Sequence, residues 1–281
     1  MYYTKSAEKS KKNDVQEKNL YRKGVTMKLS AWNNNYAKSL YGKIASGKRI
    51  QSAADDAAGL AIAQKLLKES NGLNVGAYNI QKGIGVANIQ DGALGTMHDS
   101  LQRIRELSIQ ASNGIYTDSD KQAIQGEIDQ LLMDIEHTAV GTEYNQMKLL
   151  DGSMADMHIA SNPDGTGMKI QMENATLKAL GLEGYSIMGK VDIGAIDSAI
   201  AKISASRGRT GASTNALEHA YNYNTRASLE LTGARSRIED LDIPKAVSEQ
   251  KKNKLLQDYR FGMMKKQIDN DSYVLKLFGS M

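Results

Sequence analysis

Cysteine is absent from all 281 residues, which excludes a disulfide framework and any thiolate metal site. That absence is compatible with life outside the cell. Proline occurs only at Pro163 and Pro244, so long helices meet few breakers. Aromatic residues make up 6% of the chain, with two Phe and the single Trp32. A compact core normally draws more area from Phe and Trp, so thin helical layers suit this composition better. Histidine occurs four times, which leaves few ways to build a catalytic or metal constellation. No apolar run approaches the roughly 20 residues that span a bilayer. Residues 1–23 are polar and lysine-rich with no apolar stretch, unlike a secretory signal peptide. Met27 offers an alternative start. The net charge of +4 is mild, and its excess sits at the two ends. A nucleic-acid-binding face would be denser in Lys and Arg.

What the chain does have is helical periodicity. Residues 1–26 carry little pattern. From Leu29, apolar residues recur at Trp32, Tyr36, Leu40 and Ile44, which predicts a helix to about Ala45, ended by Ser46-Gly47. From about Asp56 to Asn113, Leu66, Leu73, Ile80, Ala87, Leu94 and Leu101 repeat every seven residues. Ala77, Ile84, Met97, Ile104 and Ala111 fill a second, shifted set. Such a repeat predicts a seam against another helix, on an element roughly 80 Å long. The same stretch holds Gly59, Gly72, Gly76, Gly83, Gly85, Gly92 and Gly95. Each costs about 1 kcal/mol against alanine in a helix interior. They mark either a kink or places where neighbouring helices approach closely.

A second helix is expected from about Asp118 to Val140, capped by Ser119 or Asp118. Residues 141–190 are rich in Gly, Asn and Asp. Their runs MHIA (157–160) and MKIQM (168–172) flank the turn sequence SNPDGTG (161–167), which predicts a β-hairpin. A long helix resumes near Asp192, with Ile196, Ile203, Leu217, Leu231 and Ile238 in a seven-residue register and Thr210 and Asn224 at polar steps. It is expected to run antiparallel to the first long helix, with the middle segment capping one end and Pro244 closing it. Residues 246–281 form a last, more basic helical segment. The fold class is mainly α: a long antiparallel helical bundle or coiled-coil rod with a small β-hairpin region in the middle.

Catalytic readings fail on these residues. Glu136-His137 lacks the His-Glu-x-x-His order of a zinc protease, and GIGVANIQDG (83–92) lacks the Gly-Lys-Ser/Thr of a phosphate loop. Asp55-Asp56 fits the start of a helix, where the macrodipole favours acids. Asn174-Ala175-Thr176 matches a glycosylation sequon. No enzyme, cofactor or metal site is expected.

Several segments together resemble the bacterial flagellins. RIQSAADDAAGLAIAQKL (49–66) is similar to their RI-x-SA-x-DDAAG-x-AI segment, and LQRIRELSIQASNG (101–114) to LQR-x-REL-x-x-Q-x-x-N-G. IQGEIDQLL (124–132) and EYNQMKLLDG (143–152) follow in the family's order. TGARSRIEDLDI (232–243) resembles the ARSRIED signature, and VLKLF (274–278) the terminal V-L-x-L-L. The resemblance implies a minimal flagellin lacking variable outer domains, a subunit that polymerises with itself into the flagellar filament outside the cell. It implies that 1–46 and 246–281 form an inner coiled-coil layer, disordered in the monomer. Residues 47–245 then make the helical rod, with its hairpin region at 141–190. It also implies export by the flagellar type III apparatus, aided by a flagellar export chaperone, and no membrane insertion. Carried over residue by residue, the surface gripped by the flagellin-sensing Toll-like receptor of a host, and shared with subunit contacts, offers Gln102, Arg103, an exposed Leu107 and Glu127. Val274, Leu275, Leu277 and Phe278 would serve C-terminal assembly and recognition. The nearest other readings are a hook–filament junction protein and a secreted ligand or adhesin that does not polymerise. The extremes depart from the family: residues 1–26 are lysine-rich, and KKNKLL (251–256) with YRFGMMKKQ (259–267) adds basic charge and bulk.

Overall fold

The computed structural model describes residues 38–189 and 191–279, with their side chains except at 271–272 and 274–279. The predicted stripe from Leu29 to Tyr36 lies outside the described residues. Contacts group the chain into two compact units. Of the described residues, one holds 38–64 together with 234–279; the other holds Lys65–Gly233. Within the first unit, backbone bonds join residues 47–49 to 239–241.

In the first unit, 38–46 is helical (α1) and stops at Gly47, whose φ of +69° suits glycine. Helix α2 (Ala57–Ala111) starts at Asp56, whose Oδ1 accepts from Gly59 N at 2.8 Å. A Cβ on Gly59 would lie 2.4 Å from the Asp56 carboxylate and 2.9 Å from Ile50. Glycine at this position thus makes room for both the cap and a buried Ile50. Helix α5 (Ile193–Glu239) ends here, and α6 (Ile243–Gly279) follows. The expectation that Pro244 closes the long helix needs correction. Pro244 sits in the first turn of α6, where its missing N–H costs nothing, and Asp242 caps that turn by accepting from Lys245 N at 3.1 Å.

In the second unit, α2 and α5 run antiparallel. Ser70 meets Ser228 at 2.9 Å, Asp91 meets Arg207 at 3.0 Å, and Asp197 meets Arg105 at 2.6 Å. Position numbers rise along one helix as they fall along the other. The heptad residues Ile80, Leu94, Leu101, Ile196, Ile203 and Leu217 are all buried, while Leu66 is only partly so. Helix α3 (Asp118–Gly141) adds Ile128, Leu132, Ile135 and Ala139 to the same core. Its cap is Thr117, not Asp118 or Ser119. Thr117 Oγ1 accepts from Asp120 N, and the Asp120 carboxylate accepts from Thr117 N at 2.9 Å, closing a capping box.

Four short strands follow. β1 (Glu143–Tyr144) and β2 (Met147–Lys148) form a hairpin whose turn residues Asn145 and Gln146 both have positive φ. β3 (Asp156–Ala160) and β4 (Gly167–Gln171) form the predicted hairpin, with Ile159 opposite Met168. After the short helix α4 (Leu177–Leu180), the chain runs beside α3. Glu136 accepts from Leu177 N at 2.8 Å, and Gln125 accepts from Ile187 N at 2.7 Å.

The middle segment does not cap one end of the helices. It lies along α2, because the helix supplies glycines and amides where the segment passes. A Cβ on Gly72 would lie 2.5 Å from Pro163, one on Gly76 2.1 Å from the Ser161 carbonyl, and one on Gly83 3.1 Å from Ile159. Asn79 donates to the Ala160 carbonyl at 3.0 Å and Gln90 to the Gln171 carbonyl at 3.3 Å. Tyr185 donates to Ser108 at 2.9 Å. From Gly72 to Ser108 this track covers roughly 50 Å of helix. Gly72, Gly76 and Gly83 therefore accommodate the hairpin, Gly76 also lies beside Asn224 and Gly95 beside Arg207 of α5, and α2 continues through them unbroken. Gly85 and Gly92 meet open space. The buried Asn224, a polar step in the α5 register, donates to the Ser161 carbonyl at 2.7 Å and so joins α5 to the hairpin.

Candidate functional site

The sequence places Gln102, Arg103, Leu107 and Glu127 on one surface. Three of them are there. Arg103 projects from α2 toward α3, donating through Nε to Glu127 Oε1 at 2.9 Å, with Nη2 2.8 Å from the same oxygen. Its Nη1 reaches Glu106 at 3.4 Å. The Glu127 and Glu106 carboxylates raise the Arg103 pKa further above its ordinary value, Glu127 being the larger cause. Both partners of the Arg103–Glu127 pair remain about half exposed, at 50% and 48%. Gln102 is exposed next to them, its Nε2 3.4 Å from His98 Nε2.

Leu107 is not on that surface. It is 2% exposed and belongs to the core with Ile104, Ala111 and Ile128. The helical phase explains this. Leu94, Met97, Leu101, Ile104, Leu107 and Ala111 step by three or four residues, so Leu107 turns inward with them while Arg103 and Glu106 turn outward. The surface is therefore polar and charged, with a rigid fork of guanidinium donors held between two carboxylates. Such a fork suits directional recognition of polar groups on another protein.

A second constellation joins the two ends of the chain. Lys48 Nζ donates to Glu239 Oε1, and Arg235 approaches the other carboxylate oxygen at 3.7 Å. Arg49 N donates to the Glu239 carbonyl at 2.7 Å, Arg49 Nη2 to the Ile238 carbonyl at 2.6 Å, and Leu241 N to the Gly47 carbonyl at 2.8 Å. Glu239 is 7% exposed. Nearby, Asp55 accepts from Gln51 N and Ser52 N and pairs with Lys43 at 2.6 Å. Its hydrogen bond to the Lys43 ammonium, then that to Gln51 N, pulls the carboxyl pKa down to about 2. Asp55 and Asp56 thus have separate tasks, one tying down the loop and one capping α2. The Lys48–Glu239 pairing was not visible in the sequence, although both residues lie in or beside conspicuous charged motifs.

Helix α6 exposes apolar side chains on more than one face, Leu255 and Tyr259 on one side and Phe261 and Ile268 on the other. Leu255, Tyr259, Phe261 and Ile268 are 70%, 65%, 63% and 61% exposed. The side chains of Val274, Leu275, Leu277 and Phe278 lie outside the described residues.

Comparison with known proteins places these features in a family. The bacterial flagellin N-terminal helical region matches residues 20–155, and the bacterial flagellin C-terminal helical region matches residues 193–278. A flagellar filament 30.7 kDa core protein of Treponema maltophilum is 33% identical over 253 residues, covering 83% of this chain and 88% of that one. A flagellin of Halalkalibacterium halodurans is also 33% identical, covering 87% and 93%. A flagellin of Bacillus subtilis is 32% identical over 291 residues, covering 90% and 96%.

Proposed function

The chain belongs to the bacterial flagellin family, and from that premise we propose how its ends and its charged face serve the filament. It is a structural subunit of the flagellar filament, in a family of structural proteins that work outside the cell. No described helix is long and apolar enough to cross a membrane.

The exposed apolar residues on both sides of α6 are the observation that carries the assembly reading. A single chain in water gains nothing from leaving Leu255, Tyr259, Phe261 and Ile268 uncovered, and a helix that exposes apolar side chains on both sides suits contact with more than one neighbour. Residues 38–46 and 246–279 belong to an inner coiled-coil layer, in which packing against other copies offsets the conformational entropy of holding these helices in place. Val274, Leu275, Leu277 and Phe278 extend the same contact. Before assembly, a flagellar export chaperone covers these ends, and the type III apparatus of the flagellum exports the chain.

The surface of Gln102, Arg103 and Glu127 is a contact for neighbouring subunits and for the host Toll-like receptor that senses flagellin. Leu107 supports it from beneath, by fixing the helix phase. Because the ion pair is half exposed and screened, it adds little to folding, so its removal leaves the scaffold intact. In a receptor-reporter assay, Arg103→Ala and Glu127→Ala lower the response at equal protein concentration. An unchanged response refutes these contacts. For the assembly reading, filaments sheared from producing cells contain this chain, whereas recovery only from the cell interior refutes it.

A further inference from the structure

The turn between α2 and α3 holds a bond set up to rearrange. Asparagine precedes glycine at two places only, Asn71-Gly72 and Asn113-Gly114. We propose that Asn113 is a site of spontaneous deamidation and isoaspartate formation, while Asn71 is protected by the fold. The relevant chemistry needs three things: an asparagine side chain lying over its own C-terminal peptide, an unencumbered nitrogen on the next residue, and access for water.

All three are present at Asn113. Its Oδ1 accepts from Ile115 N at 3.3 Å, which draws the side-chain Cγ over the Asn113–Gly114 peptide and polarises the carboxamide. The Gly114 N–H has no acceptor among the described residues, and a Cβ at Gly114 would meet nothing within 4 Å. Asn113, Gly114 and Ile115 are exposed. At the other site the same dipeptide lies inside α2, its amides tied into the helical ladder and Gly72 packed against Pro163.

The step balances without an oxidant or reductant. The Gly114 nitrogen loses its proton and attacks Asn113 Cγ. The bond from Cγ to Nδ2 breaks, and ammonia leaves with that proton. Water then opens the cyclic imide at one carbonyl to give aspartate, or at the other to give isoaspartate. Either product adds a negative charge to the turn ahead of Asp118 and Asp120. Isoaspartate also lengthens the main chain between α2 and α3 by one carbon. Subunits that have stood in water would thus separate by isoelectric point, with the change confined to this turn.

The test ages the purified full chain in mildly alkaline buffer and maps tryptic peptides by mass spectrometry, with isoaspartyl methyltransferase labelling as the second readout. Residues 106–121 and 69–82 report the two sites separately. Deamidation at Asn113 runs at least about tenfold faster than at Asn71, because α2 must open locally before Asn71 can react. Gly114→Ala, which fits the open space, removes most of the Asn113 signal. Equal rates at the two sites, faster reaction at Asn71, or an Asn113 rate unmoved by Gly114→Ala overturns the proposal.

Discussion

Lys48 donates its ammonium proton to the buried carboxylate of Glu239, joining residues 191 positions apart in the chain. The backbone bonds of Arg49 and Leu241 on either side of the pair make this a clamp and not a lone surface contact. Glu239→Gln keeps the shape and removes the charge. Lys48 is half exposed, so the expected loss falls below the usual range for charged hydrogen bonds, at about 1 kcal/mol. It is read as faster proteolysis and hydrogen exchange at 47–64 and 234–245.

Acid releases the loop next to that junction. The Asp55 carboxyl, held at about 2 by Lys43 and Gln51 N, sits below the ordinary value of about 3.9. A depressed folded pKa means that the stabilisation is complete above about pH 4 and lost as pH falls toward 2. NMR titration of the Asp55 side chain gives the low value in the intact chain, and Lys43→Ala moves it up.

The glycines of α2 separate into two kinds by what lies above them. Gly76→Ala drives a methyl group into the Ser161 carbonyl, and the expected destabilisation is about 2 kcal/mol despite the better helix propensity. Gly85→Ala and Gly92→Ala meet open space and raise stability by up to about 1 kcal/mol each. Urea unfolding of the monomer measures all three.

Asn224 tests the link between α5 and the hairpin. Asn224→Ala removes the donor at 2.7 Å from the Ser161 carbonyl and leaves that oxygen unsatisfied, at a cost of about 1–3 kcal/mol. Exchange protection falls in β3 and β4 before it falls in α3.

The cap of α3 offers a smaller effect. Thr117→Ala removes the hydroxyl that accepts from Asp120 N and donates to its carboxylate, while the residue-117 amide keeps its bond to that carboxylate, and the loss costs about 1 kcal/mol. Asp120 lies below its ordinary pKa because of its bonds to the Thr117 hydroxyl and amide, so in this variant its carboxyl titrates closer to the ordinary value.

The long helices were legible because burial follows a period that the apolar residues display openly, as at Ile80, Leu94, Leu101 and Ile203. The hairpin was legible from the turn residues around Pro163 and Gly165. Leu107 was misplaced because a motif had drawn it outward, while its spacing from Ile104 and Ala111 already pointed inward. Pro244 was misread because proline suits both the end of one helix and the first turn of the next. The hairpin at 143–148 carried a weak signal, since Asn145-Gln146 takes positive φ without the usual glycine. Nothing in the sequence showed that Gly72, Gly76 and Gly83 face the hairpin, or that Lys48 meets Glu239. Those are relations between distant segments, and local propensity does not encode them.

Seeded elongation tests the central account most directly. Purified monomer is added to sheared fragments of filaments made from the same chain, and fragment length is followed by electron microscopy. The filament-subunit account predicts steady lengthening of the fragments and depletion of the free chain. Fragments that keep their length while folded monomer stays in solution contradict it.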